Sequence, residues 1–285
     1  MTIEPTVEAQ LNYLTAKLTQ TGIDNPRRQA AELLCDVLNC RLTDLFVARS
    51  AELSKFSVEE IQARLTRRLN GEPLAYIHGE VDFYGCRLIV SPAVLIPRQE
   101  TELLVDRIVQ VLDALDLKGT VLWDVCCGSG CIGIALKKHF PALRVVLTDQ
   151  SAEALAVARL NAKKNGVEVE CREGDLLAPF AGQKSHFFVC NPPYIAESEY
   201  NLLEREVRAF EPREALVGGE TGLEIYRRLA HDLPTHLHPQ AKVWLEIGYQ
   251  QGEEIRQLFD ASYWKKQQVE KDWAGHPRFF FLEIE

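Results

Sequence analysis

From about residue 120 the chain alternates short apolar runs with stretches of helical periodicity. No other feature narrows the fold as much. Residues 121–126, 144–148, 167–171, 186–190 and 242–247 read as strands, and helices fit over 131–139, 151–165, 222–233 and 251–259. Strands separated by helices return to the sheet in the same direction, and their helices cover both faces. The last stretch differs. "QQVEKDWAGHPRFFFLEI" predicts two strands joined through Ala274-Gly275-His276-Pro277, an antiparallel hairpin at one end of the sheet. The expected class is therefore α/β, with a mostly parallel Rossmann-like sheet.

The first quarter of the chain has a different period. Val7, Leu11, Leu14 and Leu18 fall on one helical face. Asn25-Pro26 has the form of a cap followed by proline at the first helical position. Ser57 and Glu60 have capping-box spacing, and Gly71 is a suitable stop. Around Tyr84-Gly85 the apolar residues alternate, which predicts a hairpin. The expected organisation is a small helical domain over 1–73, a β-hairpin linker over 74–98 and an α/β domain over 99–285.

Composition excludes several functions. With 285 residues and 46% hydrophobic side chains the chain can bury a core. Its net charge of -9 disfavours nucleic acid held through phosphates. No apolar run approaches the roughly 18 residues that a membrane helix needs, and the N-terminus has no basic start, so a cytoplasmic protein is expected. The eight cysteines form no C-x-x-C pair and do not interleave with histidines at zinc-site spacing, so neither a metal nor a disulfide framework is expected. His78, His139 and His186 read as core or surface residues. His236 and His238 read as part of a loop, and Trp244 and Trp273 as sheet packing.

Two segments carry chemistry. In "VLWDVCCGSGCIGIAL" a strand enters Gly128-Ser129-Gly130 and leaves as a helix containing Gly133. Glycines there allow a tight turn and close approach of a ligand. Asp149, at the end of the next strand, can accept from both hydroxyls of a ribose. This pattern fits a dinucleotide or S-adenosylmethionine. Asp124, just before the loop, favours the second, since an acid there can face the methionine ammonium.

The other segment is Asn191-Pro192-Pro193-Tyr194, at the end of the fourth strand. In open α/β sheets ligands bind beyond the carboxyl ends of the strands, so Asn191 should share a crevice with Gly128. The Asn191 side chain offers a carbonyl acceptor. Pro192 has a carbonyl but no N–H, and Pro193 restricts its conformation. Two fixed acceptors suit the two protons of one planar –NH2, on which Tyr194 can stack. Asn191, Pro192 and Tyr194 are thus the candidate catalytic groups, and all four residues the candidate substrate-binding loop. On these residues alone, adenine and glutamine remain open as the methyl acceptor.

"GEVDFYGCRLIVSPAVLIPRQETE", "DVCCGSGCIGIAL", "VCNPPYI" and "EPREALVGGETGLEIYRRL", in that order behind a helical domain, resemble the release factor glutamine N5-methyltransferases over nearly the whole chain. The resemblance implies a seven-stranded methyltransferase sheet with an N-terminal helical bundle that helps hold the partner. It implies transfer of methyl from S-adenosylmethionine to the glutamine amide of the Gly-Gly-Gln loop in class I peptide chain release factors. A monomer is expected, and charge and hydropathy lead us to expect neither membrane nor direct nucleic-acid binding. Asp124, Cys126, Cys127, Gly128, Ser129, Gly130, Asp149, Asp175, Leu176 and Asn191 are then the cofactor-binding candidates. Arg98, Glu100 and Glu102 border that site.

The chain departs from the family where Cys126 and Cys127 replace glycine and a small residue, and where Gln99 replaces a proline. A Cys126 side chain crowds the loop unless its φ is negative and it turns away. Other readings of the same residues are methylation of a ribosomal-protein glutamine, amino-methylation of adenine, a nicotinamide oxidoreductase, a cysteine pair with redox or nucleophilic chemistry, and a binding module without activity.

Overall fold

The computed structural model describes residues 5–285. Two compact units divide the chain. The first, ending at Gly79 and including Arg205–Phe210, is helical. It contains α1 (Val7–Gln20), α2 (Pro26–Leu38), α3 (Leu42–Val47), α4 (Lys55–Leu69), α5 (Leu74–His78) and, from later in the chain, α9 (Arg205–Phe210). Its core is the expected stripe of Val7, Leu11, Leu14 and Leu18 against Ala30, Leu34, Ile61 and Leu65. Thr6 caps α1 by accepting from the Ala9 N–H. The α4 cap is Ser54 and not Ser57: the Ser54 hydroxyl accepts from the Ser57 N–H at 3.0 Å, so the helix starts one turn earlier than expected. Asn25 takes a left-handed φ of 49° and makes no side-chain cap. The buried Arg68 is paired with Glu206 at 2.8 Å.

The second unit holds Glu80–Glu204 and Glu211–Glu285. It opens with a hairpin of β1 (Glu80–Phe83) and β2 (Cys86–Ile89). Its turn residues Tyr84 and Gly85 have φ of 41° and 73°, the left-handed pair of a tight two-residue turn. Then come α6 (Gln99–Leu112), β3 (Val121–Val125), α7 (Cys131–His139), β4 (Arg144–Asp149), α8 (Ala152–Lys164), β5 (Glu170–Glu173), β6 (Ser185–Cys190), α10 (Glu224–Asp232), β7 (Leu237–Glu246), α11 (Gly252–Leu258), β8 (Trp264–Lys271) and β9 (Pro277–Ile284). These strands form one seven-stranded sheet in the order β5-β4-β3-β6-β7-β9-β8. β9 runs antiparallel to both β7 and β8, as the tail predicts.

Residues alternate between two cores. Leu122, Val145, Leu147, Phe187, Val189 and Trp244 face α6, α7 and α8. Trp123, Val125, Val146, Phe188, Cys190, Val243 and Leu245 face α10 and α11. After β3 the chain moves outward through β4 and β5, then returns to place β6 on the other side of β3. The carboxyl ends of β3 and β6 therefore lie together, with Val125 opposite Cys190.

Several sequence expectations shift. β5 is residues 170–173 and not 167–171, because its ladder to β4 begins only at Val146–Glu170. β7 begins at Leu237, five residues early, so His238 lies in a strand and stacks on His186 with ring centroids 4.2 Å apart. Trp273 does not pack the sheet: it is 76% exposed in the β8–β9 turn. Among the described residues no helix is long and apolar enough to cross a membrane, no group of acids, cysteines and histidines is arranged to hold a metal, and the eight cysteines are unbridged.

Candidate active site

A cavity of about 770 Å³ opens at the carboxyl ends of β3, β4 and β6. Cys126, Cys127, Gly128 and Ser129 form one wall, Asp149 and Ser151 a second, and Asp175 and Leu176 a third. Asn191 and Pro193 stand at another side, next to Thr101 and Arg98. Val94, Leu95, Ile132 and Ile225 add apolar surface. The volume and the mix of apolar wall with a few polar groups suit a small-molecule ligand.

The glycine loop is shaped by backbone conformation and packing. Cys126, Gly128 and Gly130 have φ of 56°, 52° and 76°. The φ of Cys126 is positive, in the region where a Cβ is strained, so the condition under which this side chain would avoid crowding the loop is not met. A side chain added at Gly128 would meet nothing within 4 Å, so the cavity side of that residue is open. Gly130 and Gly133 serve packing instead. A Cβ at Gly133 would lie 2.4 Å from Leu147 Cδ2, and one at Gly130 2.9 Å from Ile134 Cδ1. These two glycines lay α7 against β4; neither lines the cavity.

Asp149 lines the cavity with a carboxylate already held. Its Oδ2 accepts from Gly128 N at 2.8 Å and its Oδ1 from Ser151 N at 2.9 Å. Burial raises its pKa, and these backbone donors oppose the rise. Each oxygen keeps a lone pair for a ligand hydroxyl. Asp124 lies differently from the sequence expectation. It is buried one layer beneath the wall, its Oδ2 accepting from Gly133 N at 2.8 Å. Desolvation pushes it up to about 7, with the Asp149 charge adding to the rise. Helix α8 secures the loop through Asn161, whose Nδ2 donates to Ser129 O at 2.9 Å and Ile89 O at 3.0 Å while its Oδ1 accepts from Ile89 N at 2.6 Å.

On the third wall, Leu176 has a left-handed φ of 49°, and the Asp175 carboxylate accepts from Arg228 at 2.6 Å. Arg98 is spoken for as well: its guanidinium pairs with the buried Glu211, which also accepts from Ile96 N at 3.1 Å. Glu100 and Glu102 do not line the cavity. Burial pushes the Cys127 and Cys190 thiols up, which keeps them protonated and poorly nucleophilic.

The segment after β6 is clamped by the chain that follows it. Ile195 N donates to Leu216 O at 3.0 Å, Gly218 N to Ile195 O at 2.9 Å, and Glu197 N to Gly219 O at 2.9 Å. Gln251 Nε2 donates to Tyr194 O at 2.9 Å. Gly218 and Gly222 allow this approach: a Cβ on them would lie 2.2 Å from Pro193 O and 2.3 Å from Tyr194 O. Asn191 and Pro193 line the cavity; Pro192 and Tyr194 do not. The Tyr194 ring packs against the core facing α10, and burial pushes its phenol up to about 12, so its expected stacking role is not displayed.

Thr101 and Glu246 were not singled out by the sequence. Thr101 Oγ1 donates to Glu246 Oε2 at 2.8 Å, and Asn191 Nδ2 donates to Thr101 Oγ1 at 3.4 Å. The signal for Glu246 is an acid closing an apolar strand, the same signal that marks Asp149.

Residues 9–79 match the PrmC N-terminal domain and residues 99–216 the Methyltransferase small domain. A release factor glutamine methyltransferase of Chlamydia trachomatis serovar D is 45% identical, over 93% of this chain and 90% of its own length. One from Koribacter versatilis is 38% identical, over 98% and 97%. A T. thermophilus 16S rRNA methyltransferase, solved in complex with AdoMet and guanosine, superposes with a TM-score of 0.53 at 14% identity, covering 72% of this chain and 50% of that one. That last likeness shows the fold alone.

Proposed function

The chain belongs to the release factor glutamine methyltransferase family, and we propose on that premise that it methylates a class I peptide chain release factor. It is an S-adenosylmethionine-dependent protein-glutamine N-methyltransferase. The acceptor in our reading is the side-chain amide nitrogen of the glutamine in the Gly-Gly-Gln loop, and the helical unit serves to hold the partner.

The observation that carries this reading is the placement of Asn191 on the same cavity as Gly128 and Asp149, at the junction of β3 and β6. The cavity suits the methyl donor, with an apolar wall for a base, Asp149 for ribose hydroxyls and an open backbone face at Gly128. When bound, S-adenosylmethionine supplies a methyl on a positively charged sulfur. The protein's part is positioning. An amide nitrogen is a poor nucleophile because its lone pair is delocalised. Asn191 Oδ1 and, in this reading, the carbonyl of Pro192, which lies between the wall residues Asn191 and Pro193, accept from its two N–H groups, orienting it and favouring positive charge on nitrogen during transfer. The clamp on Pro193 and Tyr194 holds these acceptors without reorganisation.

The test is transfer of labelled methyl to a purified release factor with its loop glutamine intact or changed to alanine. Label on the intact factor alone is the expected result; label persisting on the altered factor refutes the reading. Asn191→Ala should lower turnover by about 100-fold or more with donor affinity, measured by equilibrium titration, nearly unchanged.

A further inference from the structure

We propose that Thr101 and Glu246 are positioning residues that determine which end of the Asn191 amide faces the substrate. The inference rests on the reading of Asn191 as an acceptor for an –NH2 group. Three observations lead to it.

The first is register. Cys190 lies opposite Leu245 in the parallel β6–β7 pair, so the next residues, Asn191 and Glu246, leave neighbouring strand ends together. Both continue the alternation that points Val189 and Trp244 toward α6. Thr101, in the first turn of α6, meets them there; Thr101 is 1% exposed and Glu246 2%. The second is the hydrogen-bond chain Asn191 Nδ2 to Thr101 Oγ1 to Glu246 Oε2. The third is that the Asn191 amide is near enough to Glu246 to favour its ionised form.

Donor and acceptor capacity give this chain a direction. An ionised carboxylate only accepts, so Thr101 must spend its single hydroxyl proton on Glu246. What remains on Thr101 is a lone pair, which requires a donor. Asn191 must then turn its –NH2 inward, leaving Oδ1 as the group available to the cavity. With the amide reversed, Asn191 would present N–H groups to a substrate –NH2, and donor would face donor. A buried carboxylate at the end of the neighbouring strand thereby sets the polarity of the catalytic amide.

Protonation of Glu246 reverses the logic. Its hydroxyl could donate to Thr101, Thr101 could donate to Asn191 Oδ1, and the amide would turn over. Burial pushes Glu246 up to about 7; Thr101, Arg278 of β9 and Asn191 oppose the rise, and Glu100 of α6 adds to it. Tyr194, Tyr226 of α10 and Cys131 of α7 also feel its charge, and the Tyr226 hydroxyl donates to the Glu246 backbone carbonyl at 2.7 Å. Turnover should therefore fall as pH drops through about 7.

The test uses the full-length enzyme with Thr101→Val, Thr101→Ser and Glu246→Gln. Thr101→Val should lower kcat about 100-fold, with KM for the release factor and S-adenosylmethionine affinity within about threefold. Thr101→Ser, which keeps the hydroxyl, should recover kcat to within about threefold of wild type. Glu246→Gln should lower kcat and abolish the acid limb near pH 7. Independently of turnover, the Asn191 side-chain amide signal in nitrogen-15 spectra should shift with that same midpoint in wild type and stay fixed in Glu246→Gln. Unchanged kcat in Thr101→Val, equal losses in the Val and Ser variants, or an acid limb and amide shift that survive Glu246→Gln would overturn the proposal. If Thr101→Val does not fold, the Glu246→Gln comparison decides alone. Wild type that transfers no methyl to a release factor refutes the proposed substrate; wild type whose Asn191 amide ignores pH refutes this inference.

Discussion

Gly218→Ala places one methyl group against the backbone of the proposed acceptor loop. The added Cβ would sit 2.2 Å from Pro193 O, 2.9 Å from Pro193 C and 3.1 Å from Tyr194 Cα. All three are main-chain atoms, so no side chain can rotate away. Gly218 cannot retreat either, because its N–H is bonded to Ile195 O at 2.9 Å and the bonds from Ile195 and Glu197 hold both chains together. Relief requires the contact to open from 2.2 Å to the 3.4 Å at which ordinary packing begins, a movement of about 1 Å. A displacement of about 1 Å in a group that positions the reacting atom costs about 100-fold in rate. Overpacking also costs about 1–3 kcal/mol of stability. The assay is steady-state methyl transfer to a release factor, alongside equilibrium titration with S-adenosylmethionine and a thermal melt. The expected result is a large fall in kcat with donor affinity retained, since Gly128 and Asp149 stand on other strands. A folded variant with kcat within about threefold of wild type would falsify the claim that this clamp positions the acceptors.

Two further substitutions test the floor of the cavity. Cys126→Gly relieves a side chain at φ 56°, a strain of about 1 kcal/mol, and should raise the melting temperature by about 2 °C; a lower melting temperature contradicts that account. Asp124 has a folded pKa of about 7 against an ordinary value of 3.8. Between those pH values the folded protein holds a proton that the unfolded chain has released, so stability falls as pH rises through the window. Asp124→Asn removes this contribution. Urea melts at pH 5 and 7.5 should show wild type losing more stability than the variant, and equal losses would refute the assigned burial cost.

The sheet was readable in the sequence because apolar runs and helical spacing are local properties. The antiparallel tail and the hairpin at Tyr84-Gly85 were readable for the same reason. Strand starts were less so. β7 gains its first five residues only by meeting neighbours, and β5 waits for β4. The site was legible where one residue type has one use, as at Asp149 and Asn191. It was not where the same letter serves two purposes. Gly128 faces the cavity, whereas Gly130 and Gly133 make room for Leu147 and Ile134. Asp124 and Asp149 both stand near the carboxyl ends of apolar strands, yet one holds α7 from beneath and the other reaches the wall. Thr101, Asn161 and Gly218 act through partners far along the chain that no local pattern announces, and the strand-closing position that marks Glu246 does not name Thr101 as its partner.

Asn161 has a consequence for how the loop moves. One side-chain amide bonds both backbone groups of Ile89, at the end of the hairpin, and the Ser129 carbonyl in the glycine loop. Opening either segment to solvent breaks bonds that the other depends on. The glycine loop and the β1–β2 hairpin therefore belong to one cooperative opening unit, although about forty residues separate them. Opening of the glycine loop is then coupled to a hairpin that stands off the cavity wall.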